Sequence, residues 1–451
     1  MSYPDELQYF LSRLQNVSTN TFKLEPQGSN SASANKIIRI SLPSNALLST
    51  RSFKLHFSAS VDGAGAGGRL PANIASLVDR VEVACGGVQL SAGCNAVNVL
   101  QNAKNTLEGR AVCPVLGHPA IVRQISYVDG ATITTTNNEV LSSANGAVQF
   151  AIENFEGFLN SCEPRIIDSA LVPDMVVSIY LADNSVLSSS AGVGLDGLGA
   201  EDITDNGTAT ATWSMSNIHA SIETIGYVDA TYDNMIRMAV SSDDGLQVPF
   251  KQYISFQDTI TNSMRFSCAT QSLDKIWVIH REDGFGVQKA PRRVEGYKKY
   301  DATNTEGGIA GYDAGGVLDT NKEEYVGTYF NFPKPNLGAD TDKYQFSLNG
   351  SLVPQFQAGW ENMYAISKNA VGHSQKGKGL NTMKKNCSVQ AVRLNLPNSS
   401  VRQICGLDTR GISLNGYYNM YGVSAPKTCN LYAEMTSTLR IFAGRQLDVI
   451  Q

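Results

Sequence analysis

Gly192, Gly194 and Gly197 stand in GVGLDG at the G-x-G-x-x-G spacing, which in a strand-turn-helix unit sets backbone N–H groups and a helix N-terminus against a pyrophosphate. Here a Ser-rich run precedes the glycines and an acidic run follows, so the segment reads as a surface loop. DGAGAGG (residues 62–68) fails the same test, and no G-x-x-x-x-G-K-[ST] occurs. The five histidines, His56, His118, His219, His280 and His373, form no H-x-H or H-E-x-x-H pair, and none stands at ligand spacing from a cysteine. His56, His219 and His280 fall in strand-like stretches and read as polar neighbours across strands. Asp196, Glu201, Asp202 and Asp205 offer hard oxygen ligands for calcium, but not at EF-hand spacing, and a solvated loop accounts for them. No G-x-S-x-G elbow supports a serine nucleophile. The sequence thus assigns no catalytic residue, no cofactor and no metal ligand, and the chain is not read as an enzyme.

Cys85, Cys94, Cys113, Cys162, Cys268, Cys387, Cys405 and Cys429 lie far apart and never as C-x-x-C, so free thiols in a reducing compartment are expected. Two basic clusters, KAPRRVEGYKK (residues 289–299) and HSQKGKGLNTMKK (residues 373–385), read as solubilising loops, with contacts to acidic neighbours or import signals as the functional alternative. The N-terminus carries acidic residues where a signal peptide needs basic ones, and no apolar run approaches the roughly 18 residues of a membrane span.

The elements that carry these residues are mostly strands. The chain has 451 residues, 17% of them charged and 42% hydrophobic, which supports a sizeable core under a surface covered by Ser, Thr, Asn and Gly. Net charge is −5, against a general nucleic-acid coat, and splits into −8 for residues 1–225 and +3 for residues 226–451. Apolar and polar residues alternate in KIIRISL (36–42) and SFKLHFSAS (52–60), and again on either side of Gly86 and Gly87 in LVDRVEVACGGVQL (77–90). A helix-like stretch follows at 95–109, then strands at 122–127, 148–154, 175–181 and 209–225, with a polar, Gly-rich loop at 182–207.

The second half repeats the order. A connecting helix is expected at 231–240 and strands at 249–257 and 273–281. A long loop spans 282–322, and the sheet resumes at 323–332. A hairpin turning at Asn349 and Gly350 occupies 343–356, with a helix at 359–372 and strands at 388–397 and 430–443. Strand, Gly-containing turn, strand and short helix recur in both halves; DMVVSIYLADNS pairs with QAVRLNLPNSS, and each half closes on a long alternating strand. This is the pattern of a duplicated β-sandwich.

Ahead of both halves, Pro4, Asp5 and Glu6 suit a helix start, and Leu7, Phe10, Leu11 and Leu14 repeat at i, i+3, i+4 and i+7. A short amphipathic helix on a Ser/Asn-rich tether (15–35) follows from this, either an arm that docks on a partner or a helix packed on its own domain.

Taken together, IIRISLPSNALLSTRSFKLHFSAS, RLPANIASLVDRVEVACGGVQLS, SIYLADNSVLSSS, SNIHASIETIGY, VPFKQYISF, SLDKIWVIHR and STLRIFAGRQLDVI give a chain that resembles the double jelly-roll major capsid proteins of tailless icosahedral DNA viruses, most of all those of virophages and polinton-like viruses. The resemblance implies an all-β fold of two consecutive eight-stranded jelly rolls, with 1–35 as helix and tether, 36–227 as the first roll and 228–451 as the second. It further implies a homotrimer of pseudo-hexagonal outline, contacts to neighbouring capsomers and to penton and minor capsid proteins, outer loops at 182–207 and 282–322, and residence in the virion after synthesis in the host cytoplasm. Leu7, Phe10, Leu11 and Leu14 would then bind a neighbour, a minor capsid protein or an inner membrane, with no specific nucleic acid. The competing reading is a jelly-roll carbohydrate-binding or hydrolytic protein in which Tyr297, Tyr300, Tyr312 and Trp360 stack on sugar.

Overall fold

A computed structural model describes residues 17–62, 70–71, 73–91, 94–108, 125–129, 132–136, 148–187, 212–227, 230–281, 286, 328–330, 332, 334–335, 341–371, 388–397, 399–410, 415–423 and 427–451. The first half supplies β1 (Val17–Leu24), β2 (Ala32–Ser33), β3 (Ile37–Ser41), β4 (Leu47–Asp62), β5 (Val78–Cys85), β6 (Val88–Ser91) and helix α1 (Val97–Glu108). It continues with a separate hairpin of β7 (Ile125–Asp129) and β8 (Thr132–Thr136), then β9 (Val148–Ile152), the single turn α2 (Phe158–Ser161), β10 (Ile166–Asp168), β11 (Met175–Leu181) and β12 (Thr212–Tyr227). Helix α3 (Ala230–Val240) leads into β13 (Leu246–Ile260), β14 (Ser263–Phe266), β15 (Leu273–Arg281), β16 (Lys343–Leu348), β17 (Ser351–Gly359), helix α4 (Trp360–Val371), β18 (Val389–Arg393), β19 (Gly416–Tyr421), β20 (Lys427–Phe442) and β21 (Gln446–Ile450).

Each half is a jelly roll, and the two match strand for strand. One sheet of the first roll runs β1-β12-β4, with β9 and β10 on the far edge of β4 and β2 on β12; the other runs β3-β11-β5-β6. In the second roll the sheets run β13-β20-β15-β18, with β21 on β20, and β14-β19-β16-β17. In both rolls the first, eighth, third and sixth main strands form one sheet in that spatial order, and the second, seventh, fourth and fifth form the other. Every pairing is antiparallel, and apart from the β5–β6 and β16–β17 hairpins the successive main strands cross between the two sheets over a shared core.

Alternation fixes which face is inside. In β4, Phe53, Leu55, Phe57, Ala59 and Val61 are buried while Lys54, His56 and Ser60 between them are not. Both hairpins turn in two residues with positive φ at each, Gly86 and Gly87 in the first roll and Asn349 and Gly350 in the second, the geometry that continues the right-handed twist of the strands. A side chain at Gly86 would collide with Pro173, whereas Gly350 faces open space.

Several expectations change. The stretch 15–35 holds β1, which pairs with β12 along its whole length, and β2, because Val17, Phe22 and Leu24 suffice for an edge strand beside Tyr227 to Ala220. Residues 328–330 form a 3-10 turn where a strand was expected, and Phe332 makes only a bridge. The 182–207 loop enters the core at its start: Ala182, Val186 and Leu187 are buried. DMVVSIYLADNS corresponds by sheet position to β19, not to QAVRLNLPNSS, whose strand β18 matches β9. Strands β10, β14, β19 and β21 carried no clear pattern; β10 and β14 have only three and four residues.

Candidate functional site

The two equivalent sheets differ in what lies against their outer faces. In β15 and β20 burial is nearly continuous, because the first roll packs on that face. Trp277 and Tyr432 sit opposite each other in register, and Lys275 opposes Glu434. Tyr432 donates its hydroxyl hydrogen to the Ala96 carbonyl at the start of α1 (3.0 Å), and Trp277 Nε1 donates to Glu434 Oε2 (3.0 Å). Lys104 of α1 reaches over the rings of Tyr253 and Trp277, donates to both Glu156 oxygens at 2.9 Å, and approaches the Tyr253 hydroxyl at 3.1 Å. Tyr253 in turn donates to Glu156 Oε2 (3.0 Å).

This is a desolvated ionic network, and the charges hold one another. Burial pushes the Glu434 carboxyl up, yet Lys275, Lys104 and Lys251 and the Trp277 N–H together bring it down to about 2. Around the network the contact is apolar or backbone-mediated: Phe158 meets Phe250 edge-on at 5.1 Å, the Glu163 N–H donates to the Pro249 carbonyl, the Lys251 N–H donates to Ser161 Oγ, and Lys368 of α4 donates to the Leu107 carbonyl. The free edge of β13 is thereby covered.

The matching face of the first roll is half-buried rather than closed over: Lys54, His56 and Ser221 all keep partial exposure. Lys54-Leu55-His56 occupies the register of Lys275-Ile276-Trp277, and His219-Ala220-Ser221 that of Tyr432-Ala433-Glu434. His56 and His219 stack across the strands with ring centres 5.0 Å apart and planes at 13°. His56 Nε2 bonds Ser221 Oγ (2.8 Å), and His219 Nδ1 donates to the Asn217 carbonyl (3.0 Å). Partial burial, then His219 and Lys54, depress the His56 pKa. Lys54 pairs with Glu153 at 2.8 Å, and the Ser60 and Ser214 hydroxyls meet at 3.1 Å. A depression of about 350 Å³ opens beside the histidines, lined also by Asn217, Gln149, Phe150 and Ala151.

The residues singled out from sequence fare unevenly. His56 and His219 are cross-strand neighbours, as expected, and His280 is buried beneath the second roll's other sheet, bonded to Tyr418 at 3.1 Å. Cys85, Cys94, Cys162, Cys268, Cys405 and Cys429 are free thiols. Trp360 is buried and donates to Ser388 Oγ (2.8 Å), so it offers no platform for sugar stacking. Leu7, Phe10, Leu11 and Leu14, Tyr297, Tyr300 and Tyr312, the glycines of GVGLDG, the four loop carboxylates and both basic clusters lie outside the described residues. Among the described residues there is no group of three or more His, Cys, Asp or Glu side chains placed to hold a metal ion, and no helix long and apolar enough to cross a membrane. Trp277, Tyr432, Tyr253, Glu434 and Lys104 escaped the sequence reading, although the unbroken run Ile276 to Ile279 departs from the alternation of SFKLHFSAS and signals a strand covered on both faces.

The fold these sheets define is the double jelly roll. It is shared with the PBCV-1 protein VP54 as fitted into a reconstruction of the virophage Sputnik, at a TM-score of 0.57 and 13% identity over 99% of both chains. A quasi-atomic model of the PBCV-1 virus capsid matches with a TM-score of 0.57 and 11% identity, again over 99% of both chains. The Faustovirus major capsid protein matches with a TM-score of 0.56 and 11% identity over 98% of this chain and 93% of that one. No protein-family model matches the sequence, and no curated protein matches it in sequence.

Proposed function

We propose that this chain is a major capsid protein: three copies form a capsomer of pseudo-hexagonal outline, and capsomers tile an icosahedral shell. The observation that carries the reading is the end-to-end match of two consecutive jelly rolls to capsid proteins, covering 98–99% of this chain without a domain left over. Duplication has a physical purpose here, since a threefold object with two rolls per chain fills a sixfold position while each roll specialises its own lateral contacts. The protein works by burying lateral surface rather than by catalysis. Its partners are copies of itself, neighbouring capsomers, and penton and minor capsid proteins, and its place is the virion. The N-terminal helix with Leu7, Phe10, Leu11 and Leu14 acts as an arm toward a neighbour, a minor capsid protein or an inner membrane.

Negative-stain microscopy of the purified chain tests the reading. Six-lobed particles with threefold symmetry are expected; a field of single two-lobed molecules would overturn it. Deleting residues 1–15 should leave the six-lobed particles intact and block shell assembly, and normal shells from the truncated chain would refute the arm.

A further inference from the structure

Lys251 and Asp274 of the second roll meet in a bonding pattern that a plain ion pair does not need. Lys251 lies on β13 directly opposite Thr436 of β20, on the same face as Tyr253. Asp274 is the extra residue of a bulge on β15: Leu273 faces Met435 and Lys275 faces Glu434, which leaves Asp274 with no register partner on β20. A bulge re-aims a side chain, and this one brings the carboxylate to Thr436 and Lys251. The backbone there is pinned, since the Leu394 and Asn395 N–H groups both donate to the Asp274 carbonyl at 2.8 and 3.3 Å. Asp274, Ser272 and Thr436 are buried, and the Lys251 side chain keeps 17% exposure.

Each atom of the group has a chemical part. Lys251 Nζ stands 2.5 Å from Asp274 Oδ2, which for a C–O bond of about 1.23 Å puts Cγ within about 3.7 Å of the nitrogen. That is close to the roughly 3–3.5 Å from which bound reactants combine. The Thr436 hydroxyl accepts from Nζ (2.9 Å) and donates to Oδ2 (2.6 Å), a continuous path for a proton from the amine to that oxygen. Ser272 donates to Oδ1 (2.7 Å), and the Gly406 N–H fixes the Ser272 hydroxyl (2.9 Å). Gly406 closes the site so tightly that a Cβ there would strike both Ser272 Oγ and Asp274 Oδ1. Two other enclosed lysine–carboxylate pairs differ. At Glu156, Lys104 bonds both oxygens at 2.9 Å and Tyr253 donates to Oε2, with no hydroxyl donor on Oε1 among the described residues. At Asp342, Lys334 and the Tyr344 hydroxyl bond opposite oxygens.

We propose that Lys251 and Asp274 join through an isopeptide bond, formed by the folded chain itself. The Nζ–Cγ bond forms, the Cγ–Oδ2 bond breaks, and Oδ2 leaves as water. Of the three ammonium protons, one passes directly to Oδ2 across the ion pair, one follows through the Thr436 hydroxyl, and the third stays on the amide nitrogen. One positive and one negative charge become a neutral amide and water, so no oxidant, reductant or further reactant is needed. Ser272 holds the negative charge that builds on Oδ1 during the attack. The enclosure drives the reaction, because a desolvated ion pair is costlier to bury than an amide. Lys275 and Lys104 remain to balance Glu434 once the Lys251 charge is gone. The product is a covalent rung from β13 to β15 across β20, joining two strands that do not pair with each other. It closes the loop that carries β14 and so restricts the unfolded chain. The proposal is independent of how the chains assemble.

Mass spectrometry of the full wild-type chain, folded, then denatured and digested with trypsin, tests the bond without any variant having to fold. A linked Lys251 resists trypsin, so residues 238–265 should appear joined to residues 266–275, at the summed mass of the two peptides less one water. Asp274→Ala should restore cleavage after Lys251, and Lys251→Met should release residues 266–275 unbranched. Thr436→Val should form the branched peptide about a hundredfold more slowly in protein sampled at intervals after synthesis, the loss expected of a missing proton carrier. Wild-type protein that yields residues 238–251 and 266–275 as separate peptides of full mass would overturn the proposal. A branched peptide found instead at Lys104 and Glu156, or at Lys334 and Asp342, would overturn the assignment to Lys251 and Asp274. An unchanged rate in Thr436→Val would overturn the relay.

Discussion

Strands β4 and β12 of the first roll and β15 and β20 of the second hold the same places in the same topology, yet one pair alternates buried and half-buried residues while the other is buried almost without a break. The fold does not cause the difference; a neighbour does. Where the first roll lies against the second, outward positions become Trp277, Tyr432 and a satisfied ion network. Where the matching sheet face is only half-buried, the equivalent positions are His56, His219 and small hydroxyl side chains. The lesson is that the composition of a strand's outer face reports what covers it.

The sharpest way to separate the rolls is acid. His280 lies inside the second roll with its pKa depressed to about 3, first by burial and then by Lys427. Tyr418 donates to Gln390, so His280 Nε2–H donates to the Tyr418 oxygen, and the proton gained in acid would fall on Nδ1, which has no hydrogen-bond partner among the described residues. A histidine whose folded pKa lies below its unfolded value supports the fold fully above pH 6.5 and loses that support as pH falls toward 3. The loss is on the order of 5 kcal/mol at about 1.36 kcal/mol per pH unit. Urea unfolding followed between pH 7 and 3.5 should show the second roll weakening most, and His280→Gln should flatten the profile. Equal weakening of both rolls breaks the comparison.

Next in size is truncation at the two equivalent positions. Trp277→Ala removes a fully buried indole and its bond to Glu434, and should cost about 3–5 kcal/mol. His56→Ala, half-buried in the single chain, should cost below about 1 kcal/mol in the dissociated protein. Denaturant midpoints measure both, and similar losses would show that the two faces are not differently covered.

Lysines on the two faces give a smaller contrast. Lys104→Met leaves Glu156 without its ammonium partner at the roll contact and should cost about 2 kcal/mol. Lys54→Met, whose pair with Glu153 is half in water, should cost at most about 1 kcal/mol. The smallest difference lies at the hairpin turns. Gly86→Ala meets both positive φ and Pro173, and Gly350→Ala meets positive φ alone, so the first should lose about 1 kcal/mol more by thermal unfolding.

Much of this architecture was legible before any coordinates. Long alternating strands such as β4, β12 and β20, the two glycine turns and the helix after each hairpin announced themselves because period, turn chemistry and length all agreed. β1 did not, since VSTNTFKL is mostly polar and becomes a strand only against the edge of β12. The misplacement of QAVRLNLPNSS has a related cause: local pattern says strand, and only pairing says which strand. The roll-to-roll site was illegible for a different reason. Trp277, Tyr432 and Lys104 come from three distant stretches, and their meeting depends on the packing of one roll on another, which no local pattern encodes. The histidine pair was visible as two strand residues, but its equivalence to Trp277 and Tyr432 required the register of both sheets.

The account turns on lateral self-association of the whole chain, and the solution mass measures that directly. Multi-angle light scattering at neutral pH should give a single species of about 145 kDa, three chains of 48.5 kDa each. A monodisperse species at 48.5 kDa across micromolar concentrations would contradict it.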